Sequence, residues 1–410
     1  MKHDLAALQA TPAEAWKRRF AERRLAGHGA DASGVWGFRE WVLPELGAAE
    51  VVTLGEGRSP LLHAGRLGRA LGVPDLWVKQ CGVSHTGSFK DLGMTVLVSA
   101  VAARRRDVRA VVCASTGDTS AALAAYAAAA GVAAVVLLPR SKVTTAQLVQ
   151  PLAHGALVLA LDTDFDGCMR IVRELSDDAS YYLANSLNAL RLEGQKTVAL
   201  EVCQQLGWEA PDWIALPGGN LGNTAAVGMG LALAEATGLV GRRTKLLVGQ
   251  AGAAAPLAHA YAAHDGYASF KPVTAGDTAA TAIRIGDPVS IRRAIRQLER
   301  CGGAVESATE DELAEAAALA DACGQYVCPQ TAAALVAVQK AARRGEVRAG
   351  ERVVVLSTAH GLKFSEAKVA YHERSLAGAS TYARANAPVP LAPALGAVRD
   401  AIERRLDPRA

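Results

Sequence analysis

Aromatic side chains are scarce in this sequence, at 5% of 410 residues, and its 44 Lys and Arg are nearly matched by 40 Asp and Glu, with no basic stripe. A chain with few rings to stack on bases and no concentrated positive charge is not built to bind nucleic acid. Long apolar runs free of charge are also missing, and Met1-Lys2-His3-Asp4-Leu5 has no signal-peptide core. A cytoplasmic protein without a membrane segment is expected. Cysteines are few and odd in number: seven, with no C-x-x-C pair, Cys323 and Cys328 standing closest. That speaks against a disulfide framework and offers no zinc-ligand spacing, so no metal is expected and Cys113 and Cys168 read as packed thiols.

Apolar residues, by contrast, make up half of the chain. A length of 410 residues exceeds what one hydrophobic core usually serves, so two domains are expected. Strand-like runs at Val111 to Ser115, Ala134 to Leu138 and Leu157 to Leu161 alternate with helical runs after Thr119 and from Thr144 to Ala153. This is the βαβ pattern of a parallel sheet, and the fold class is α/β.

Within that frame, Ser84-His85-Thr86-Gly87-Ser88-Phe89-Lys90-Asp91 sets one lysine among small hydroxyl and glycine residues. Leu92, Val96, Leu97 and Val101 follow at helical spacing, and Arg104-Arg105-Arg106 suits a helix C-terminus, which puts Lys90 in a turn at a helix start. The partial positive charge there disfavours the ammonium and supplies the neutral amine that Schiff-base chemistry needs. Three other segments join a strand-like run to a turn rich in glycine or hydroxyls. Cys113 to Ser120 offers hydroxyls and backbone N–H groups suited to a carboxylate. Leu216-Pro217-Gly218-Gly219-Asn220-Leu221-Gly222-Asn223 lets backbone approach a phosphate closely. Val353 to Gly361 is a buried-type strand ending in Ser357 and Thr358, the usual place for ligand contacts in an open α/β sheet.

Taken in this order, these segments resemble the threonine synthase family, pyridoxal 5′-phosphate (PLP) enzymes of fold type II, and in particular its plant-type branch. The resemblance runs from about His3 to His372 and is carried as well by Glu40-Trp41-Val42-Leu43-Pro44-Glu45, Asp162 to Met169, Leu183-Ala184-Asn185-Ser186-Leu187-Asn188, Arg191-Leu192-Glu193-Gly194-Gln195-Lys196, Ile285 to Ile291 and Ser357 to Phe364. It implies a tryptophan synthase β-like fold, with a large PLP-binding domain from 1–93 and 206–375, a small inserted α/β domain at 94–205, and the cofactor between them. It implies that Lys90 carries PLP and moves protons during catalysis, that Gly218, Gly219, Asn220, Leu221, Gly222 and Asn223 hold the PLP phosphate, and that Thr358 meets the pyridine nitrogen. Asp118 falls near the cofactor's 3′ oxygen; it either shares a proton there or points elsewhere. Ser115, Thr116 and Thr119 are implied for the substrate carboxylate, and Asn185, Ser186 and Arg191 for its phosphate, Arg191 supplying a planar donor fork.

The reaction so implied is conversion of O-phospho-L-homoserine and water to L-threonine and phosphate by a homodimer. A related replacement enzyme acting on a phosphorylated amino acid, such as a cysteate synthase or a γ-replacement enzyme, uses the same scaffold and stays open at this stage, as does threonine deamination. Cys328-Pro329-Gln330-Thr331-Ala332 departs from the plant branch at Gln330 and Ala332, where that branch has His and Gly. His85 is a candidate substrate contact and His360 a brace for the Thr358 turn, while His264 and the remaining histidines read as surface or packing residues. Over 376–410 the resemblance ends: an Ala- and Pro-rich linker leads to a short helix whose stripe of Leu391, Leu395, Val398, Ile402 and Leu406 is expected to pack on its own subunit or on a dimer mate.

Overall fold

Short runs of Val, Leu, Ile and Ala pair into two sheets in a computed structural model of the chain, which describes residues 3–25, 27–103, 108–115, 117–140, 145–186, 188–263 and 266–406. The larger sheet has the order β1 (Leu61–His63), β2 (Leu76–Gln80), β10 (Val353–Ser357), β7 (Trp213–Pro217), β8 (Lys245–Ala251), β9 (Ala304–Ala308). β1 is antiparallel to β2 and every other pairing is parallel. The smaller sheet is wholly parallel, in the order β5 (Leu157–Leu161), β4 (Ala133–Pro139), β3 (Ala110–Ala114), β6 (Tyr181–Leu183). The three strands expected from the sequence are β3, β4 and β5, and the helix expected from Thr144 runs over Thr145–Ala153, Thr144 itself lying outside the described residues.

Alternation along the strands of the larger sheet builds a core on each face. Ile214, Leu216, Leu246, Val248, Val354 and Leu356 face one cluster; Trp213, Ala215, Leu247, Val353 and Val355 face the other. The chain leaves this sheet after β2, builds the smaller sheet, and returns through the helix Thr197–Gln205 to β7. The crossing element is the helix Lys90–Ala103, which is buried from Asp91 to Ser99. Its Leu92 and Val96 belong to a core of the larger sheet, while Met94, Leu97, Val98 and Val101 belong to that of the smaller one. A domain limit at 93 therefore falls inside one continuous helix that both halves use. Arg104-Arg105-Arg106 lie outside the described residues.

The expected linker is a linker only in its second half. Ser380 and Thr381 donate to the Asp311 carboxylate, holding it down at about 2. Arg384 pairs with Glu315 at 2.7 Å, and Tyr382 packs against Tyr371. The helix beyond it runs over Leu395–Leu406 and leaves Leu391 of the expected stripe outside it; Leu395 is 75% and Leu406 71% exposed, so its own chain does not cover the stripe.

Candidate active site

Because β2, β10 and β7 are parallel neighbours, the chain leaves all three at one edge of the larger sheet. This brings together the turn leading to Lys90, the Ser357-Thr358 end and the Gly218 loop. β3 and β6 do the same for Ser115, Asp118 and Thr119 and for Asn185, Ser186 and Arg191 in the smaller sheet. The carboxyl ends of parallel strands are where open α/β sheets receive ligands.

The Lys90 turn hangs from the end of β10. Ser88 forms an antiparallel bridge with Ala359, Phe89 N donates to Thr358 O at 2.8 Å, and His360 N donates to Gly87 O at 2.9 Å. Inside the turn Asp91 is fully buried and accepts from Thr86 N at 2.8 Å and from Thr86 Oγ1. Burial dominates and pushes its carboxyl up to about 7. Lys90 opens the helix Lys90–Ala103, with Nζ 3.9 Å from the centre of the Phe89 ring. Loss of water, and after it the nearby Arg191, lower its ammonium to about 7 against the opposing pull of Asp118 and Cys328. The amine is thus free for nucleophilic or proton-transfer work near neutral pH.

The Gly218 loop joins β7 to the long helix Gly222–Ala236, and its backbone is folded around an open helix start. Leu221 sits in the left-handed region at φ +60°, and a Cβ on Gly219 would stand 3.0 Å from Ile283 Cα. At the mouth of this helix Asn223 Oδ1 and Thr224 Oγ1 are buried without a partner. Free N–H groups at a helix start together with unpartnered side-chain oxygens suit a phosphate monoester. At the end of the neighbouring strand β10, Thr358 N donates to Thr331 Oγ1 at 3.2 Å, and Thr358 Oγ1 lies 3.8 Å from Cys328 Sγ. Ser357 Oγ and both polar atoms of Gln330, the residue that departs from the plant branch, are buried and unpartnered. Buried polar atoms are rarely left unsatisfied, and these orphans fit a polar cofactor such as PLP.

Arg191 is the other unusual feature. It is 2% exposed, Nη1 donates to Ala184 O at 3.0 Å, Nη2 donates to Thr119 Oγ1 at 3.3 Å, and Nε has no partner. Among the described residues no carboxylate pairs with it. Burial lowers its pKa to about 10, and an uncompensated buried guanidinium calls for an anion. Asn185 is partly committed: Oδ1 accepts from Ala114 N at 3.0 Å and Nδ2 donates to Ala114 O at 2.8 Å, leaving one N–H and one lone pair. Ser186 follows on the same turn. Ser115 Oγ accepts from Gly117 N and Ser120 N, both at 3.3 Å, and so shapes the start of the helix Asp118–Ala130. Thr116 lies outside the described residues, as does His264.

Glycines set the spacing between the Lys90 and Arg191 helices. A Cβ on Gly93 would stand 2.8 Å from Arg191 O, and one on Gly194 would stand 1.7 Å from Leu92 O. Behind the short helix Ala189–Gln195, His3 Nε2 lies 2.8 Å from Glu193 Oε2, and Lys196 pairs with the same carboxylate. Sequence reading gave this cluster no role, although Glu193 and Lys196 stand three apart.

Asp118 does not stand alone: Lys363 Nζ lies 3.1 Å from its Oδ1. Lys363 sits inside a stretch that carries the resemblance, but without a partner in view it had no assignment. His360 does brace the turn, its Nδ1 accepting from Leu362 N at 3.2 Å. The His85 ring lies 6.3 Å from that of His154.

Residues 52–359 match the family described as pyridoxal-phosphate dependent enzyme. The chain is 49% identical to threonine synthase 2, chloroplastic, of Arabidopsis thaliana, over 99% of its own length and 79% of that protein's. It is 39% identical to threonine synthase of Methanocaldococcus jannaschii, over 84% of each. In fold it resembles Escherichia coli threonine synthase, with a TM-score of 0.67 at 21% identity over 98% of this chain and 90% of that one. It also resembles the processed form of threonine deaminase isoform 2 of Solanum lycopersicum, with a TM-score of 0.65 at 19% identity over 78% of this chain and 83% of that one. The chain therefore belongs to the pyridoxal-phosphate dependent enzymes, and within them to the threonine synthase family.

Proposed function

We propose that this chain converts O-phospho-L-homoserine and water to L-threonine and inorganic phosphate. The observation that carries the choice of substrate is Arg191, a buried guanidinium without a carboxylate partner, set apart from the phosphate nest of the Gly218 loop. Two separate anion sites suit a phosphorylated cofactor together with a phosphorylated substrate.

Gly218, Gly219, Asn220, Leu221, Gly222 and Asn223 would hold the phosphate of PLP, Thr358 its ring nitrogen and Lys90 its reactive carbon, with Asp118 near the ring oxygen. Bound PLP supplies an electron sink that makes the proton next to the substrate amine removable. Lys90, whose pKa is lowered to about 7, takes the proton from Cα and then serves as base and acid at Cβ and Cγ. Arg191, with Asn185 and Ser186, holds the substrate phosphate and stabilises its negative charge as the bond to Cγ breaks. Ser115, Thr116, Thr119 and the N–H groups opening the helix Asp118–Ala130 orient the substrate carboxylate.

The purified protein is expected to release phosphate from O-phospho-L-homoserine with an equal amount of threonine, and Lys90→Ala is expected to reduce both to background. A PLP-loaded protein that forms no threonine from this substrate would overturn the reading in favour of another nucleophile or another phosphorylated amino acid.

The chain is further proposed to act as a cytoplasmic homodimer. The uncovered stripe on Leu395–Leu406 supports a second copy, and sedimentation should give twice the chain mass. A monomer would remove that part. No helix among the described residues is long and apolar enough to cross a membrane.

A further inference from the structure

Lys363 lies on the short turn of helix Gly361–Phe364 that follows β10, and it reaches three other parts of the chain. Nζ is 3.1 Å from Asp118 Oδ1 and donates to Thr86 O at 2.8 Å and to Gln150 Oε1 at 2.7 Å. Asp118 and Gln150 sit on helices of the smaller sheet and Thr86 in the Lys90 turn, so one ammonium ties both halves to that turn with all three of its donors. The stem passes over Gly87, which has φ +82° and where a Cβ would stand 3.0 Å from Lys363 Cδ. The side chains of Lys363 and Asp118 are only 19% and 9% exposed, so salt screens their attraction weakly.

We propose that Lys363 is a positioning residue, the counter-ion that keeps Asp118 from recruiting the Lys90 amine as its ion partner. The proposal rests on the reading that Lys90 is the reactive amine. The charged and titratable groups facing Lys90 are Arg191, Asp118 and Cys328; Lys363 faces Asp118 and the Asp91 carboxyl. With Lys363 removed, the Asp118 carboxylate retains Lys90 as a cationic partner, and an ammonium beside an unpaired carboxylate holds its proton to higher pH. With Asp118 made neutral as well, that pull disappears. A purely mechanical strap behaves differently, since Asp118→Asn restores neither the bond to Thr86 nor the one to Gln150.

The test follows the pH dependence of acetic anhydride labelling at Lys90, read by mass spectrometry in the full-length chain stripped of cofactor. Lys363→Met is expected to raise the midpoint by about one pH unit, about a tenfold loss of free amine at pH values well below both midpoints. Lys363→Arg should keep the midpoint of the unaltered chain, Asp118→Asn should lower it, and Asp118→Asn with Lys363→Met should return it most of the way. An unmoved midpoint in Lys363→Met, or a double variant no closer to the unaltered chain than the single, overturns the proposal. If Lys363→Met fails to fold by circular dichroism, Asp118→Asn alone decides, and an unchanged midpoint there overturns it equally. Failure of the unaltered chain to take up PLP would instead sink the Lys90 reading while leaving the labelling result to stand on its own.

Discussion

At the scale of the residue, the site is defined by side chains that lack what buried groups normally have. Among the described residues Arg191 has no carboxylate partner and its Nε is unpartnered, and Lys90 has an amine whose pKa burial lowers to about 7. Arg191→Ala removes charge-assisted hydrogen bonds of about 1.5–3 kcal/mol in total, so KM for the phosphorylated substrate should rise roughly 10- to 150-fold. PLP should stay bound, because the nest at the Gly218 loop is separate; loss of cofactor on dialysis of the variant would show that the two anion sites were wrongly divided. The Lys90 amine also gives a sign for pH. Its folded-state pKa of about 7 is below the usual 10.5, so the unfolded chain binds more protons between those values. This group therefore makes the cofactor-free protein more stable as pH rises from 7 towards 10. Urea midpoints for Lys90→Met should lose that rise.

At the scale of the element, the distance between Lys90 and Arg191 is set by bare backbone. Gly194→Ala would put a methyl 1.7 Å from Leu92 O, and the two helices must move apart. The expected cost is about 1–3 kcal/mol in a denaturant melt, together with a raised KM, since the anion site moves with its helix. A variant with unchanged stability and unchanged KM would show that the crossing is looser than it looks. Much of this level was legible in the sequence: β3, β4 and β5 and the Lys90 turn all follow from periodicity and turn residues. The Gly218 loop could be read because its chemistry is local, six consecutive residues presenting their own backbone. What could not be read was pairing across long sequence distances. Lys363, just after β10, meets Asp118, just after β3, only once the two sheets come together, and Asn185 closes on Ala114 only once β6 lies beside β3. The docking of Ser380 and Thr381 on Asp311 was hidden for the same reason, because Ala and Pro richness describes the segment but not what it lies against.

At the scale of the molecule, the helix Lys90–Ala103 serves two cores, so the halves should not melt separately. All six tryptophans lie outside 94–205, so their fluorescence reports the larger sheet, whereas far-ultraviolet circular dichroism reports both. The two signals should give one coincident transition in urea, and a circular dichroism change left over after the fluorescence change is complete would mean that the smaller sheet survives alone. The shared helix has a further consequence for how the chain breathes. The most protected amides of β3 and of β7 sit on opposite sides of one helix whose loss exposes apolar surface in both directions. Their exchange with deuterium should therefore be limited by the same opening, that of the whole chain, and the smaller sheet would have no private route to solvent.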